Sequence, residues 1–167
     1  SAEAPAVAVI AGPGTGKTKT LVSRIAALVT SRGAAPETIT AVTFTNAAAA
    51  EMRARVAARL SEEAASRMQI GTFHAVCLHL LDARPLLSEE DALALLSELA
   101  RAHGAAGAPR ALLSAVSRVK CGDSPEDAGV DPALYAAYCE RCRALGVRDL
   151  DDLLLDALSL PLTKEQQ

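Results

Sequence analysis

The chain has 167 residues, a length that suits one domain, or a core with a small subdomain, and is too short for two domains of ordinary size. Half of its residues are hydrophobic and alanine supplies roughly a fifth, but only 2% are aromatic, so the composition excludes a disordered chain and favours helices over β-sandwiches or barrels. The formal net charge is −3, so any contact with nucleic acid must come from a local basic patch. These properties predict a helix-rich α/β protein.

Strands and helices alternate in the first half of the chain. The apolar run at 7–11 predicts a short buried parallel strand that leads into a glycine-rich loop. Further strands are predicted at 39–44 and 69–73, and helices at 17–31, 47–60 and 74–81. This alternation predicts right-handed crossovers and a parallel sheet.

After Pro85 the pattern predicts helices alone, at 88–103, 109–120, 132–145 and 149–159. We therefore expect about half of an α/β sheet followed by a helical insertion. No apolar run approaches the ~20 residues of a membrane span, and residues 1–5 lack the basic start of a signal peptide. The expected location is cytoplasmic, without membrane contact.

The strongest motif lies between the first predicted strand and the first predicted helix and reads Ala11-Gly12-Pro13-Gly14-Thr15-Gly16-Lys17-Thr18. Glycines let the backbone fold around a polyphosphate with its N–H groups inward, and the helix N-terminus adds a favourable dipole. In this pattern Lys17 supplies charge at the β- and γ-phosphates, and the Thr18 hydroxyl is a ligand for Mg²⁺. Ala11 departs from the strict G-x₄-G-K-[ST] spacing, but the strand–loop–helix context still predicts phosphate binding.

Two later segments narrow the class of phosphate-binding protein. They are Val42-Thr43-Phe44-Thr45-Asn46-Ala47-Ala48-Ala49-Ala50-Glu51-Met52-Arg53 and Gly71-Thr72-Phe73-His74-Ala75-Val76-Cys77. With the loop, they resemble the UvrD/Rep/PcrA-type superfamily 1 DNA helicases, whose first RecA-like domain carries the patterns TFTNxAAxEM and TFH. The segments Tyr135-x-x-Tyr138 and Arg148-Asp149-Leu150-Asp151-Asp152-Leu153-Leu154 look like the family's return from its helical insertion, subdomain 1B. The resemblance therefore implies three parts: an incomplete α/β core at 1–83, a helical insertion at 84–147 and a return segment at 148–167. The resemblance implies a partial RecA-like P-loop NTPase fold, with ATP and Mg²⁺ as cofactors.

The resemblance also implies single-stranded DNA as a partner. It places Phe44, Thr45 and Asn46 where the family contacts the strand, and Thr72 and His74 on the same track. An aromatic ring can stack on a base, while short hydroxyl and amide side chains can reach phosphates. Core packing is the alternative for Phe44, and helix capping is the alternative for His74.

Three positions qualify this assignment. Core packing is favoured over a DNA contact for Phe73. Ala47 stands where the family commonly has a lysine, so one cationic contact is missing. Lys19 stands where the family often has an arginine near the adenine, which keeps the charge but loses planar stacking.

Other polar groups have structural explanations that we favour. Asp149, Asp151 and Asp152 fit the N-cap and first turn of a helix better than a catalytic site. Three arginines on the second predicted helix form either a basic stripe or, as we favour, part of a mixed-charge face with Glu51 and Glu62; they are Arg53, Arg55 and Arg59. Ordinary thiols are favoured over a zinc site for the four cysteines, although two of them have C-x-x-C spacing; they are Cys77, Cys121, Cys139 and Cys142.

Turnover requires groups that this sequence lacks. The resemblance implies an Asp-Glu pair after a further strand, a glutamine that senses the γ-phosphate, and arginines from a second RecA-like domain. Residues 162–167 resemble the family's adenine-recognising glutamine motif but lie at the opposite end of the chain; chance, rearrangement and fragmentation stay open as explanations.

The expected function is therefore that of the ATP-binding portion of an ATP-dependent DNA helicase, which translocates on single-stranded DNA and unwinds duplex. Lys17 and Thr18 would act by positioning and charge stabilisation. We expect this chain alone to bind nucleotide without appreciable turnover. The alternatives are a non-catalytic DNA- or protein-binding module and, less favoured, a small P-loop kinase.

Overall fold

The architecture comes from a computed structural model, which describes residues 7–12 and 14–161. Pro13 of the loop and the glutamine-like segment at 162–167 lie outside the described residues. The chain divides into two compact units, the first ending at Val76 and the second beginning at Cys77. The three-part division expected from the helicase resemblance stays a prediction.

In the first unit, two parallel strands are surrounded by helices. Its elements, in chain order, are α1 (Lys17–Arg32), a 3₁₀ turn (Pro36–Thr38), β1 (Thr40–Thr43), α2 (Asn46–Arg59), α3 (Glu62–Arg67), β2 (Gln69–Thr72) and the start of α4 (Phe73–Leu80). β1 and β2 pair with Thr40 opposite Gln69 and Thr43 opposite Thr72. The parallel pairing that the strand–helix alternation predicts is confirmed.

The core of the first unit forms where the strands meet the helices. Ala41 and Ile70 face each other across the sheet and are buried, and they join a cluster with side chains from α1 and α2. Arg53 of α2 donates a hydrogen bond to the Ile70 carbonyl, which ties α2 to β2. Packing and this polar tie together hold the carboxyl ends of the strands in place.

The strand predicted at 7–11 is wrong. Residues 7–12 form no strand, and Val7, Val9 and Ile10 are 54%, 59% and 99% exposed. A parallel strand needs a neighbour that exchanges backbone hydrogen bonds with it. Within the described residues the sheet contains β1 and β2, which pair only with each other, so this apolar run has no partner.

The second unit is a helical cluster, as predicted. After the last residues of α4 it contains α5 (Glu89–His103), α6 (Pro109–Lys120), α7 (Pro125–Ala128), α8 (Pro132–Leu145) and α9 (Leu150–Leu158). Its core includes Leu96, Val116 and Leu134, each fully buried. No helix in the described ranges is long and apolar enough to cross a membrane.

A buried charge network stabilises the second unit. The Lys120 ammonium lies 2.6 Å from an Asp149 carboxylate oxygen and 2.7 Å from one of Asp152, and the Tyr138 hydroxyl donates to Asp149 at 3.0 Å. Burial disfavours the ionised form of each partner, but the hydrogen bonds and opposite charges outweigh it, so the pKa of Lys120 is raised and that of Asp149 is lowered. Burial, followed by the charge of Asp149, also raises the pKa of Tyr138.

The capping role expected for the acidic residues near 150 is confirmed. Asp149 is the N-cap of α9 and accepts from the Asp152 amide at 2.9 Å, while Asp152 accepts from the Asp149 amide in return. Asp151 lies in the same first turn. These carboxylates therefore stabilise a helix start and a buried ion pair.

Candidate functional site

The glycine-rich loop ends at the N-terminus of α1. Gly14 and Gly16 have φ values of 74° and 86°, a left-handed conformation that favours glycine. Gly16 is the N-cap residue, and no side chain accepts a hydrogen bond there. The first turn of α1 also contains no acidic residue, so the amides and the positive end of the helix dipole have no anionic side chain of their own.

The Lys17 side chain folds back over this loop. Its exposed ammonium donates to the Ala11 carbonyl at 2.9 Å and to the Gly12 carbonyl at 2.6 Å. The Thr15 hydroxyl donates to the same Gly12 carbonyl at 2.7 Å. The loop therefore already holds its cation close to the glycine backbone that would surround a polyphosphate.

Thr18 and Lys19, the two residues that follow Lys17, have different surroundings. Thr18 is half-buried, and among the described residues no hydrogen bond engages its hydroxyl. Lys19 lines a cavity between α1 and α2. With respect to the described residues, the Thr18 oxygen in the first turn of α1 is therefore available, as a metal ligand would require.

The strand ends bring two aromatic rings together. Because Thr43 and Thr72 are paired, the next residues, Phe44 and Phe73, lie side by side at the carboxyl edge of the sheet. Their ring centroids are 5.7 Å apart, with planes tilted by 50°. Phe44 is 90% exposed and Phe73 45%, so core packing is wrong as the explanation for Phe44 and incomplete for Phe73.

Polar side chains flank this aromatic pair. The Thr45 hydroxyl caps α2 by accepting from the Ala48 amide at 3.2 Å, and the Thr72 hydroxyl accepts from the Ala75 amide at 3.3 Å at the start of α4. Asn46 is exposed and begins α2, whereas His74 is half-buried in the first turn of α4. Thr72, rather than His74, therefore caps α4.

The arginines of α2 have three different environments. Arg53 bonds to the sheet, and Arg55 forms an ion pair with Glu51 at 2.6 Å. Arg59 has no ion pair with any described residue, and it lines the cavity beside Lys19. The mixed-charge face is therefore confirmed at Glu51, but no described contact extends it to Glu62.

The cysteines do not form a metal centre within the described ranges. All four have free thiols, and no group of three or more histidine, cysteine, aspartate or glutamate side chains there could hold a metal ion. Cys139 and Cys142, which have the C-x-x-C spacing, both lie on α8. Burial raises the pKa of the Cys142 thiol, so it stays protonated.

The loop, the strand ends and their spacing match a known family. A family model for the UvrD/REP helicase N-terminal domain matches residues 2–103. The chain belongs to this family. The resemblance drawn from the three motifs is thereby confirmed, and so is the fold class of a partial RecA-like α/β domain that is rich in helices.

Named relatives agree with this family assignment. ATP-dependent DNA helicase UvrD1 of Mycobacterium tuberculosis is 34% identical over 179 residues, which cover 91% of this chain and 23% of that protein. DNA helicase II of Escherichia coli is 35% identical over 184 residues, covering 93% of this chain and 25% of that protein. ATP-dependent DNA helicase PcrA of Leuconostoc citreum is 49% identical over 73 residues, or 44% of this chain and 10% of that protein. The chain thus spans about a quarter of the length of the first two relatives.

Proposed function

We propose that this UvrD/REP-family chain is the ATP-binding part of an ATP-dependent DNA helicase, which moves along single-stranded DNA and separates duplex. The observation that carries the proposal is the uncapped N-terminus of α1, which follows two left-handed glycines and has Lys17 beside it. The names of the relatives support it, since they describe ATP-dependent DNA helicases.

The nucleotide would bind by replacing contacts that the loop now makes with itself. Lys17 donates to two neutral carbonyl oxygens, and charge-assisted hydrogen bonds to phosphate oxygens are roughly twice as strong as bonds to neutral acceptors. The triphosphate would therefore draw the Lys17 ammonium away from Ala11 and Gly12. Amides from Gly14 to Thr18 would complete the cradle, and Lys19 would contact the nucleotide beyond it.

Thr18 is the residue that fits Mg²⁺, because its hydroxyl lies in the first turn of α1 and is not engaged by the described residues. Mg²⁺ held there would neutralise part of the negative charge of the phosphates. Lys17 and Thr18 thus orient the phosphates and stabilise charge, and neither forms a covalent bond to the substrate.

Single-stranded DNA would bind at the edge formed by the strand ends. Phe44 offers an exposed ring for stacking on a base, and Phe73 supports it from one side. A hydroxyl has two acceptor lone pairs and one donor. Since Thr45 and Thr72 each use an acceptor site for capping, their O–H donors stay available for DNA phosphates, together with Asn46 and His74.

A fluorescent ATP analogue tests the nucleotide site. We expect Mg²⁺-dependent binding by the wild-type chain, loss of the Mg²⁺ dependence in Thr18→Val, and retention of it in Thr20→Val. Thr20 is the matched control because its hydroxyl is already engaged: it donates to the Gly16 carbonyl, one helical turn earlier in the chain. A chain that acts only as an interaction module would show no Mg²⁺-dependent binding in any variant, and that result would overturn the proposal.

An ATP hydrolysis assay tests the expectation that the isolated chain binds ATP without hydrolysing it. We expect negligible ATP hydrolysis with or without single-stranded DNA, because the Asp-Glu pair and the second-domain arginines implied by the family are not in this sequence. A steady rate that rises with added single-stranded DNA and disappears in Lys17→Ala would show that this chain is sufficient for turnover.

A further inference from the structure

The DNA-binding edge proposed above contains no lysine or arginine. Its side chains offer an aromatic ring, two hydroxyls, an amide and an imidazole; they are Phe44, Thr45, Asn46, Thr72 and His74. Affinity for a nucleic-acid strand depends strongly on lysine and arginine side chains that neutralise its phosphates, and the net charge of the whole chain is −3. A strand bound at this edge therefore needs a cation from a neighbouring element.

Arg53 of α2 holds its guanidinium against β2. The Gln69 amide donates to the Ile39 carbonyl at 3.1 Å, so Gln69 directs its backbone polar groups toward β1. Successive residues of a parallel strand direct these groups to alternate edges, so the Ile70 carbonyl points to the edge of β2 that faces away from β1. Arg53 donates to this carbonyl and is thereby held at the outer edge of β2.

This bond places a positive charge near the carboxyl end of β2. Ile70 lies two residues before Thr72, the last residue of the strand, and this separation is about 7 Å at a rise of ~3.3 Å per residue. The separation is shorter than the Debye length of about 8 Å at physiological ionic strength. The charge of Arg53 is therefore only partly screened from a phosphate bound at Thr72.

Most hydrogen-bond donors of Arg53 are not engaged by the described residues. A guanidinium has five N–H donors. Within the described ranges, Arg53 is exposed, makes one hydrogen bond to the sheet and forms no ion pair. By contrast, Arg55 pairs with Glu51 at 2.6 Å and Arg67 pairs with Glu37 at 2.9 Å. An exposed arginine that is anchored through one donor suits contact with phosphate oxygens through the others.

We propose that Arg53 binds a backbone phosphate of single-stranded DNA from the outer edge of β2. The proposal rests on the DNA-binding edge described under the proposed function and adds the cation that this edge lacks. A base stacked on Phe44, with phosphates at Thr45 and Thr72, would bring a further phosphate of the same strand toward Arg53. Because the bond to the Ile70 carbonyl already orients the guanidinium, less side-chain freedom is lost when DNA binds.

Fluorescence anisotropy with oligo(dT) over a range of salt concentrations tests this contact in the full chain. We expect Arg53→Gln to weaken binding roughly tenfold or more. It should also reduce the slope of log K against log salt by about 0.7, the amount for one phosphate of a single strand. Arg53→Lys keeps the charge and should keep the slope. If Arg53 had only a structural role, its removal would lower the affinity without changing the slope.

Arg67→Gln is the matched control, because it also removes one exposed cation from the first unit. Arg67 ends α3 ahead of β2 and so lies toward the opposite, amino end of the strand. This variant should leave the affinity within about twofold, and circular dichroism checks that both glutamine variants are folded. The inference is overturned if Arg53→Gln leaves the slope unchanged, or if the two glutamine variants change affinity and slope equally.

A parallel measurement on Phe44→Ala separates this inference from the proposed function. Weakening by Phe44→Ala without an effect of Arg53→Gln would reject the arginine contact and support the edge itself. Absence of oligo(dT) binding by the wild-type chain would reject both.

Discussion

Replacing Lys120 with methionine should strongly destabilise the second unit. The Lys120 side chain is only 4% exposed and contacts Asp149, which is 9% exposed, at 2.6 Å. Methionine keeps the apolar contacts of the side chain but leaves the Asp149 carboxylate buried without its cation. Removing one member of a buried pair costs about 3–5 kcal/mol, a large part of the stability of a typical domain.

Urea unfolding followed by tyrosine fluorescence measures this effect. The chain has no tryptophan, and its two tyrosines both lie on α8, so the signal reports the second unit. With a slope of about 1–3 kcal/mol per molar urea, the midpoint should fall by roughly 1 M or more. Adding Asp149→Asn to Lys120→Met should recover part of the loss, because asparagine removes the buried charge and still caps α9.

Arg118→Met is the matched control on the same helix. Arg118 also forms an ion pair at 2.6 Å, with Asp123, but the two side chains are 52% and 42% exposed. An exposed pair contributes about 0–1 kcal/mol. Equal destabilisation by Lys120→Met and Arg118→Met would refute the argument that burial sets the magnitude.

Three further outcomes are expected. Because the pKa of Asp149 is lowered in the folded chain, the second unit should lose stability as the pH falls below about 4 and keep this contribution at higher pH. In urea unfolding measured over this pH range, Asp149→Asn should reduce the loss of stability in acid, and an unchanged loss would count against the network. Phe44→Ala should weaken oligo(dT) binding by about 1–3 kcal/mol, measured by fluorescence anisotropy, without loss of stability. Leu158→Ala also removes an exposed apolar side chain but should leave oligo(dT) binding unchanged, and equal weakening by the two variants would exclude stacking. Gly16→Ala and Gly33→Ala should each cost about 1–2 kcal/mol of stability, because both glycines have positive φ. Only Gly16→Ala should weaken binding of the ATP analogue, and equal weakening by the two variants would show that the loop is not part of the nucleotide site.

Helix positions in the second unit are readable from the sequence because their start and stop signals are local. Ser88 and Asp131 cap α5 and α8 through their side chains, and Gly104 and Gly146 end the same helices in the left-handed conformation. The observed bounds lie within one or two residues of the predicted ones. The short helix α7 is missed, although Ser124 followed by proline is a start signal of the same kind.

Structural features that depend on residues far apart in the chain cannot be predicted from local sequence signals. An apolar run such as 7–11 becomes a strand only if another strand pairs with it, and local pattern carries no information on that partner. The contact between Lys120 and Asp149 joins residues 29 positions apart, and the Phe44–Phe73 pair depends on the register of β1 against β2. The sequence therefore predicts which residue types are candidates for the site, while the fold decides which of them meet.

Similarity to the family identifies the motif residues, and the structure adds their surroundings. The exposure of Phe44 and the capping bonds of Thr45 and Thr72 separate side chains that face solvent from those that hold the helices. The cavity beside Lys19 and Arg59 forms between two helices, so the motif pattern, which marks only Lys19, does not predict it.

Calorimetric titration of Mg²⁺-ATP into the wild-type chain and into Lys17→Ala tests the central claim most directly. The account predicts saturable binding at one site in the wild-type chain and no measurable binding in Lys17→Ala, since this ammonium is the cation that the loop holds beside its glycines. Equal heats of binding in the two chains would contradict the assignment of the glycine-rich loop as the nucleotide site.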